Sequence, residues 1–142
     1  MDFVCDAPRG KTWFRLLNEA EAVAESRLMN HAVEKHFRQF RDAAVATYAP
    51  PASLPYIERD IGLQDHIRRS MPIFLTLRDG EGAGLATAML PPSGVSPDRF
   101  RSIVVGPSNA DPFPAHRDAI EALAAHFKIA LDSDLSYPYR RG

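Results

Sequence analysis

The stretch from Glu19 to Tyr48 contains neither proline nor glycine, and this feature constrains the fold more than any other. Its apolar residues recur at spacings of three and four, as Met29, Val33, Phe37, Phe40, Ala44 and Tyr48. That period is typical of an amphipathic helix that buries one face. On the opposite face, Arg38 lies four residues from both Glu34 and Asp42, which favours exposed ion pairs. We therefore predict one long helix whose apolar stripe covers a sheet.

Both ends of this helix are marked in the sequence. Residues 12–17 are rich in aromatic and aliphatic side chains, which favours a strand immediately before the helix. Asn18, with Glu21 three residues later, forms a helix-start signal. Pro50–Pro51 ends the helix, because a proline removes a hydrogen-bond donor and displaces the preceding residue from helical geometry.

A short helix and a β-hairpin are predicted next. After a loop to about Asp60, residues 62–71 form the helix, which Pro72 closes. Residues 73–77 and 85–90 read as two strands joined by a glycine-rich turn. Alternation along the strands predicts one packed face, which the long helix covers, made of Ile73, Leu75, Leu77, Leu85, Thr87 and Met89.

The last part of the chain reads as a strand followed by a helix. Residues 100–105 form the strand, and Asp111 is a candidate cap for a helix that begins near Pro114. Residues 129–131 are a candidate final strand, and 133–142 read as a tail. Runs of hairpin-linked strands with grouped helices favour an α+β fold over a doubly wound parallel sheet.

We therefore predict a single two-layer α+β domain over residues 1–142. A mainly antiparallel sheet of three to five strands packs against one long and two shorter helices, in the order β-α-α-β-β-β-α with a candidate final β. This length is sufficient for one hydrophobic core without disulfides or metal.

Composition favours a protein of the cytoplasm. Its formal net charge is −1, so nothing in the overall charge favours nucleic acid or an anionic membrane. The only cysteine is Cys5, and the start of the chain does not resemble a signal peptide. Support for nucleic-acid binding is confined to two arginine pairs and two tyrosines: Arg68, Arg69, Arg140, Arg141, Tyr137 and Tyr139.

Several motifs that suggest chemistry are better explained structurally. The glycines of residues 80–84 lie between strands, whereas nucleotide-binding glycines lead from a strand into a helix. His31 and His36 are separated by about 140° on a continuous helix, so they and Glu34 do not converge on one ion. Cys5 is interpreted as a small packing residue. We expect no bound metal and no tightly held cofactor.

One segment combines a suitable context with suitable residues. The turn after the strand at 100–105 carries Ser108 and Asn109, and His116 and Arg117 follow near the start of the next helix. Unpaired N–H groups and the helix dipole favour anions at such a position. We predict a shallow site for a small anionic or polar ligand formed by these four residues.

Two functions remain open on the sequence alone. The first is a non-enzymatic binding or regulatory module that contacts another protein or a small ligand, because no set of nucleophile, base and oxyanion donors is evident. The alternative is a small enzyme whose catalytic residues are dispersed over the loops 50–61, 91–99 and 106–113.

Overall fold

A five-stranded antiparallel sheet organises the chain in the computed structural model, which describes residues 1–139. The strands lie side by side in chain order, as β1 (Asp2–Ala7), β2 (Lys11–Arg15), β3 (Ile73–Arg78), β4 (Gly84–Leu90) and β5 (Ile103–Val105). The helices are α1 (Glu19–Met29), α2 (Val33–Thr47), α3 (Tyr56–Ser70), α4 (Phe113–Phe127) and the short α5 (Ser133–Ser136). The predicted α+β class with an antiparallel sheet is confirmed.

The first strand was not predicted. It pairs with β2 from Asp2 opposite Arg15 to Ala7 opposite Lys11, and a bulge interrupts the register between Phe3 and Cys5. The connecting turn contains Arg9 and Gly10, both with positive φ. The Cys5 side chain is half-buried against the core, and burial raises the pKa of its thiol, with a further contribution from the charge of Asp6.

Helices cover both faces of the sheet, whereas two layers were predicted, so the assignment of faces is corrected. Leu75 and Leu77 pack with α4 in one core, whereas Phe74 packs with α1 and α2 in another. Successive strand residues point to opposite faces, so these cores lie on opposite sides of the sheet. The register places Leu75 opposite Ala88, so the face packed on α4 continues through alanines of β4. The helical stripe packs on the other face, with Phe74 and Met89.

The apolar stripe itself is confirmed. Met29, Val33 and Phe37 are buried, and the ring of Phe37 lies 5.3 Å from that of Phe74. Phe40 is half-buried and contacts the rings of Phe74 and Phe100. The predicted helix is divided, however, because Asn30 adopts a left-handed conformation with φ of 52° between α1 and α2.

The third helix is longer than predicted. It begins at Tyr56, where a loop to Asp60 was expected, because Pro55 needs no N–H partner at a helix start and its carbonyl accepts from Arg59 N–H. None of its side chains is fully buried. Gly62 lies directly against the ring of Tyr48, where a Cβ atom would overlap the phenol oxygen.

The fourth helix begins at Phe113, one residue from the predicted start, and the Asp111 carboxylate accepts from Phe113 N–H at 3.0 Å. Its buried face includes Ile120 and Leu123, and the Trp13 indole donates to the Ala119 carbonyl at 2.8 Å. This hydrogen bond fixes α4 across β2.

The C-terminal segment packs on the domain, in contrast to the expected tail. Residues 129–131 form no strand, and Asp132 caps α5 by accepting from two backbone N–H groups. Ser136 and Tyr137 are buried, and the Tyr137 hydroxyl donates to the Asn109 carbonyl at 2.6 Å. The last three residues, including Arg140 and Arg141, lie outside the described part of the chain.

Truncating the stripe tests the packing of α2. Phe37→Ala should lower the free energy of unfolding by about 3–5 kcal/mol, the range for a buried aromatic side chain. Gln39→Ala, an exposed change on the same helix, should alter it by less than about 0.5 kcal/mol. Equal urea midpoints for Phe37→Ala and the unaltered protein would contradict the assigned face.

Two glycines of the β3–β4 hairpin form a matched pair. A Cβ atom at Gly84 would lie 2.6 Å from Met29 Sδ, and the Met29 side chain is buried. Gly84→Ala should therefore destabilise the fold by about 1–3 kcal/mol through overpacking. Gly80 faces open space without a positive φ, so Gly80→Ala should be neutral or slightly stabilising. Thermal melts of both variants would show whether α1 packs this closely on the hairpin.

Candidate functional site

The break between α1 and α2 positions the side chains of the candidate site. Asn30 ends α1, and the Ser26 carbonyl accepts from His31 N–H at 3.2 Å. Ala32, the residue before α2, has no capping side chain, but Ser26 Oγ accepts from Glu34 N–H at 2.9 Å. The amide of Asn30 donates to Ser108 Oγ at 2.9 Å, which ties this junction to the loop after β5.

A chain of polar side chains crosses the face of the sheet beneath this junction. Glu25 is 0% exposed, and its carboxylate accepts from the Arg78 guanidinium at 2.8 Å and from Thr87 Oγ1 at 2.5 Å. Thr87 Oγ1 in turn lies 2.8 Å from His31 Nε2. A buried charge is tolerated when it is paired and fully hydrogen-bonded, and both oxygens of Glu25 have partners.

These contacts define the tautomer of His31. Thr87 uses its hydroxyl hydrogen toward Glu25, so it accepts from His31, and Nε2 of the imidazole carries the hydrogen. The second ring nitrogen, Nδ1, accepts from Val33 N–H at 3.4 Å. Burial lowers the pKa of His31 below its ordinary value of 6.5, and the charge of Glu25 offsets part of this effect. Both ring nitrogens of the neutral imidazole therefore have protein partners.

The polar chain ends at the wall of a cavity of about 210 Å³ between the α1–α2 junction and strands β4 and β5. Its walls are mainly apolar, and the side chains or backbone that line it include Val33, Phe74, Met89, Ile103, Val105 and Pro138. The lining residues with polar side chains are His31, His36, Thr87, Asn109 and Tyr139. No lysine, arginine or carboxylate belongs to the described lining.

The structure divides the four predicted site residues into two groups. Asn109 lines the cavity, and Ser108 lies beside it, bonded to Asn30. Both Ser108 and Asn109 have positive φ, at 56° and 60°. His116 and Arg117 are not part of this lining.

The two residues at the start of α4 have other partners. His116 Nδ1 lies 3.0 Å from Lys11 Nζ, and the pKa of His116 is lowered by burial and by the Lys11 charge. The Arg117 guanidinium lies over the ring of Phe113, 5.7 Å from its centre. Neither contact leads toward Ser108 and Asn109.

Three residues of the hydrogen-bonded series beneath the cavity were not predicted as site residues: Glu25, Arg78 and Thr87. Glu25 has a signal in the sequence, because it lies three residues after Ala22 and four before Met29, both of which are buried. A glutamate in register with an apolar stripe requires a buried partner. Thr87 was placed on a packed strand face, but nothing in the sequence connects it or Arg78 to Glu25, since only the pairing of β3 with β4 brings both residues to α1.

His31 and His36 are the candidate metal ligands at the cavity. His31 lies in the turn between the helices, so the angle expected on a continuous helix does not apply, and both His31 and His36 line the cavity. Within residues 1–139, no group of three or more His, Cys, Asp or Glu side chains is arranged to hold a metal ion.

Comparisons with protein-family models, curated proteins and solved structures found no significant match to this chain. Of the described helices, none has both the length and the apolar character needed to cross a membrane.

The lowered pKa of His31 predicts a pH dependence of stability. Between pH 6.5 and the lower pKa of the folded state, the unfolded chain binds a proton that folded His31 does not. The free energy of unfolding should therefore fall as the pH drops below about 6.5. His31→Gln should flatten this dependence, with a residual slope from His116.

Urea unfolding from about pH 8 to about pH 5 measures the effect. Gln retains an N–H donor toward Thr87, so the comparison isolates protonation from loss of the hydrogen bond. Identical slopes for His31→Gln and the unaltered protein would show that His31 protonates equally in both states.

Proposed function

We propose that the chain is a small-ligand-binding module whose cavity between the α1–α2 junction and strands β4 and β5 takes a neutral, mostly apolar molecule with one hydrogen-bonding group. The observation that carries this proposal is the lining itself, which is apolar over most of its area and includes one half-buried amide, that of Asn109. Ligand sites of soluble proteins commonly combine apolar walls with few polar groups.

The size of the cavity supports a ligand of one or two rings. An apolar cavity of about 150 Å³ is sufficient for benzene, and this one measures about 210 Å³. The absence of a charged amino or carboxylate side chain from the described lining favours a neutral ligand over the anion expected from the sequence. A neutral His31 whose nitrogens are both engaged supports the same preference.

The arrangement supports binding more than catalysis. A general base needs a free nitrogen or oxygen within reach of substrate and a group on which to act. His31 uses both nitrogens within the protein, and the described lining places no Ser, Cys, Lys or carboxylate beside the other imidazole, that of His36. Of the three loops considered for dispersed catalytic residues, only 106–113 contributes to the lining, through Asn109. No hydrogen bond from the Asn109 side-chain amide to another described residue is formed, so this group is available to a ligand.

Two matched probes test the proposal. Indole carries an N–H that can donate to the side-chain oxygen of Asn109, whereas indene has nearly the same shape without that donor. Both should shift the amide signals of residues 87–89 and 103–109, and indole should bind more tightly. Asn109→Gly removes the side-chain amide, and glycine tolerates the positive φ at this position. The variant should therefore lower the affinity for indole about 5- to 10-fold and leave the affinity for indene unchanged.

A filling variant provides the control for location. Ile103→Trp should abolish binding of both probes by occupying the cavity. Tyr56→Trp adds the same ring at a site on α3 that is 84% exposed and should have no effect. Absence of shifts at millimolar indole and indene, or equal shifts in Ile103→Trp, would refute the proposed cavity.

A further inference from the structure

A second cleft lies between α2, α3 and the end of β2, and it shares no lining residue with the cavity described above. Its volume is about 700 Å³. Apolar side chains from α2, α3 and the adjoining segments line it, including Leu16, Phe37, Leu63, Ile67 and Met71. Its charged lining residues are Arg15, Glu19, Arg41, Asp65 and Arg68.

Among these charges, Arg15 lacks an ionic partner. Its guanidinium is half-buried and donates one long hydrogen bond, 3.4 Å, to the Arg68 carbonyl. Within the described residues, no carboxylate lies within 4.0 Å of it. The pKa of Arg15 is lowered by burial and by the charge of Arg68, an effect that Asp2 offsets in part. Asp2 itself pairs with Arg68 at 3.6 Å.

The other charged groups of the cleft have partners on its rim. Arg41 pairs with Glu19 at 2.9 Å and with Asp42 at 3.2 Å. Asp65 pairs with Arg69 at 3.0 Å. Arg15 is therefore the charged group of the cleft that forms no ion pair within 4.0 Å, although the more distant Asp2 acts on it, and a guanidinium in that state beside an apolar surface favours a bidentate carboxylate.

The outer wall of the cleft can yield to a ligand. Helix α3 forms this wall without a fully buried side chain of its own, and such elements belong to the less stable parts of a fold. Its Leu63 and Ile67 line the cleft, and Ile67 is only partly buried where it packs on the core cluster that contains Leu16 and Phe37. A flexible chain inserted here gains apolar contact on two sides.

We propose that this cleft binds a single-chain alkyl carboxylate, with the carboxylate on Arg15 and the chain along the apolar lining between α2 and α3. This site is independent of the proposed ring-binding cavity and has a different ligand chemistry. An anionic group attached to an alkyl chain occurs both in a dispersed amphiphile and at the surface of an anionic bilayer. We assign the cleft to the dispersed amphiphile.

The test measures binding of decanoate, below the concentration at which it forms micelles, by titration calorimetry and amide shifts. Decanoate should bind and shift the amide signals of residues 15–18 and 63–71. Decanol lacks the carboxylate and acetate lacks the alkyl chain, so each should bind at least 10-fold more weakly. Equal affinity for decanol would overturn the role of Arg15. Equal affinity for acetate would overturn the role of the chain.

Three variants complete the design. Arg15→Gln should lower the affinity for decanoate at least 10-fold. Leu63→Glu should lower it to the same extent, because it places a negative charge in the lining. Arg27→Gln removes an exposed arginine of α1 that lies outside the cleft lining and should leave affinity unchanged. Unchanged binding by both Arg15→Gln and Leu63→Glu, each verified as folded by circular dichroism, would refute the site. Binding to phosphatidylglycerol vesicles without binding to decanoate would do so as well.

Discussion

The buried carboxylate of Glu25 is the constraint on which the arrangement of this protein depends. It draws Arg78 from β3 and Thr87 from β4 to the same point of α1, so it fixes the helix against the hairpin. Apolar packing is tolerant of small slides, whereas a buried ionic hydrogen bond is satisfied in one geometry. Through Thr87 the same network reaches His31 and defines the turn that borders the cavity.

Local patterns were sufficient to predict much of the fold. The apolar stripe of α2, the β3–β4 hairpin and the capped start of α4 each follow from spacing or turn chemistry within a few residues. The face of the hairpin was wrong because β3 is apolar at successive positions, as in Phe74 and Leu75, and such a strand does not reveal which side meets which helix. That choice depends on contacts distant in sequence.

The candidate site was less accessible to sequence reasoning. Asn30 ends α1 in a stretch free of glycine and proline, where a continuous helix was the simpler interpretation, although asparagine also adopts the left-handed conformation. Once the break is known, His31 belongs to a turn and not to a helical face. Ser108 and Asn109 were correctly placed in a turn after a strand, but their neighbour is the α1–α2 junction and not the start of α4.

The position of the three helices between β2 and β3 has a consequence for the order of folding. Strands β3, β4 and β5 follow one another closely in the chain, so their pairing closes short loops. Pairing β2 with β3 must instead close a loop that contains α1, α2 and α3, which is entropically more expensive. Loop closure therefore favours two local units, the β1–β2 hairpin and strands β3 to β5, and predicts that β2 and β3 pair after each unit has formed.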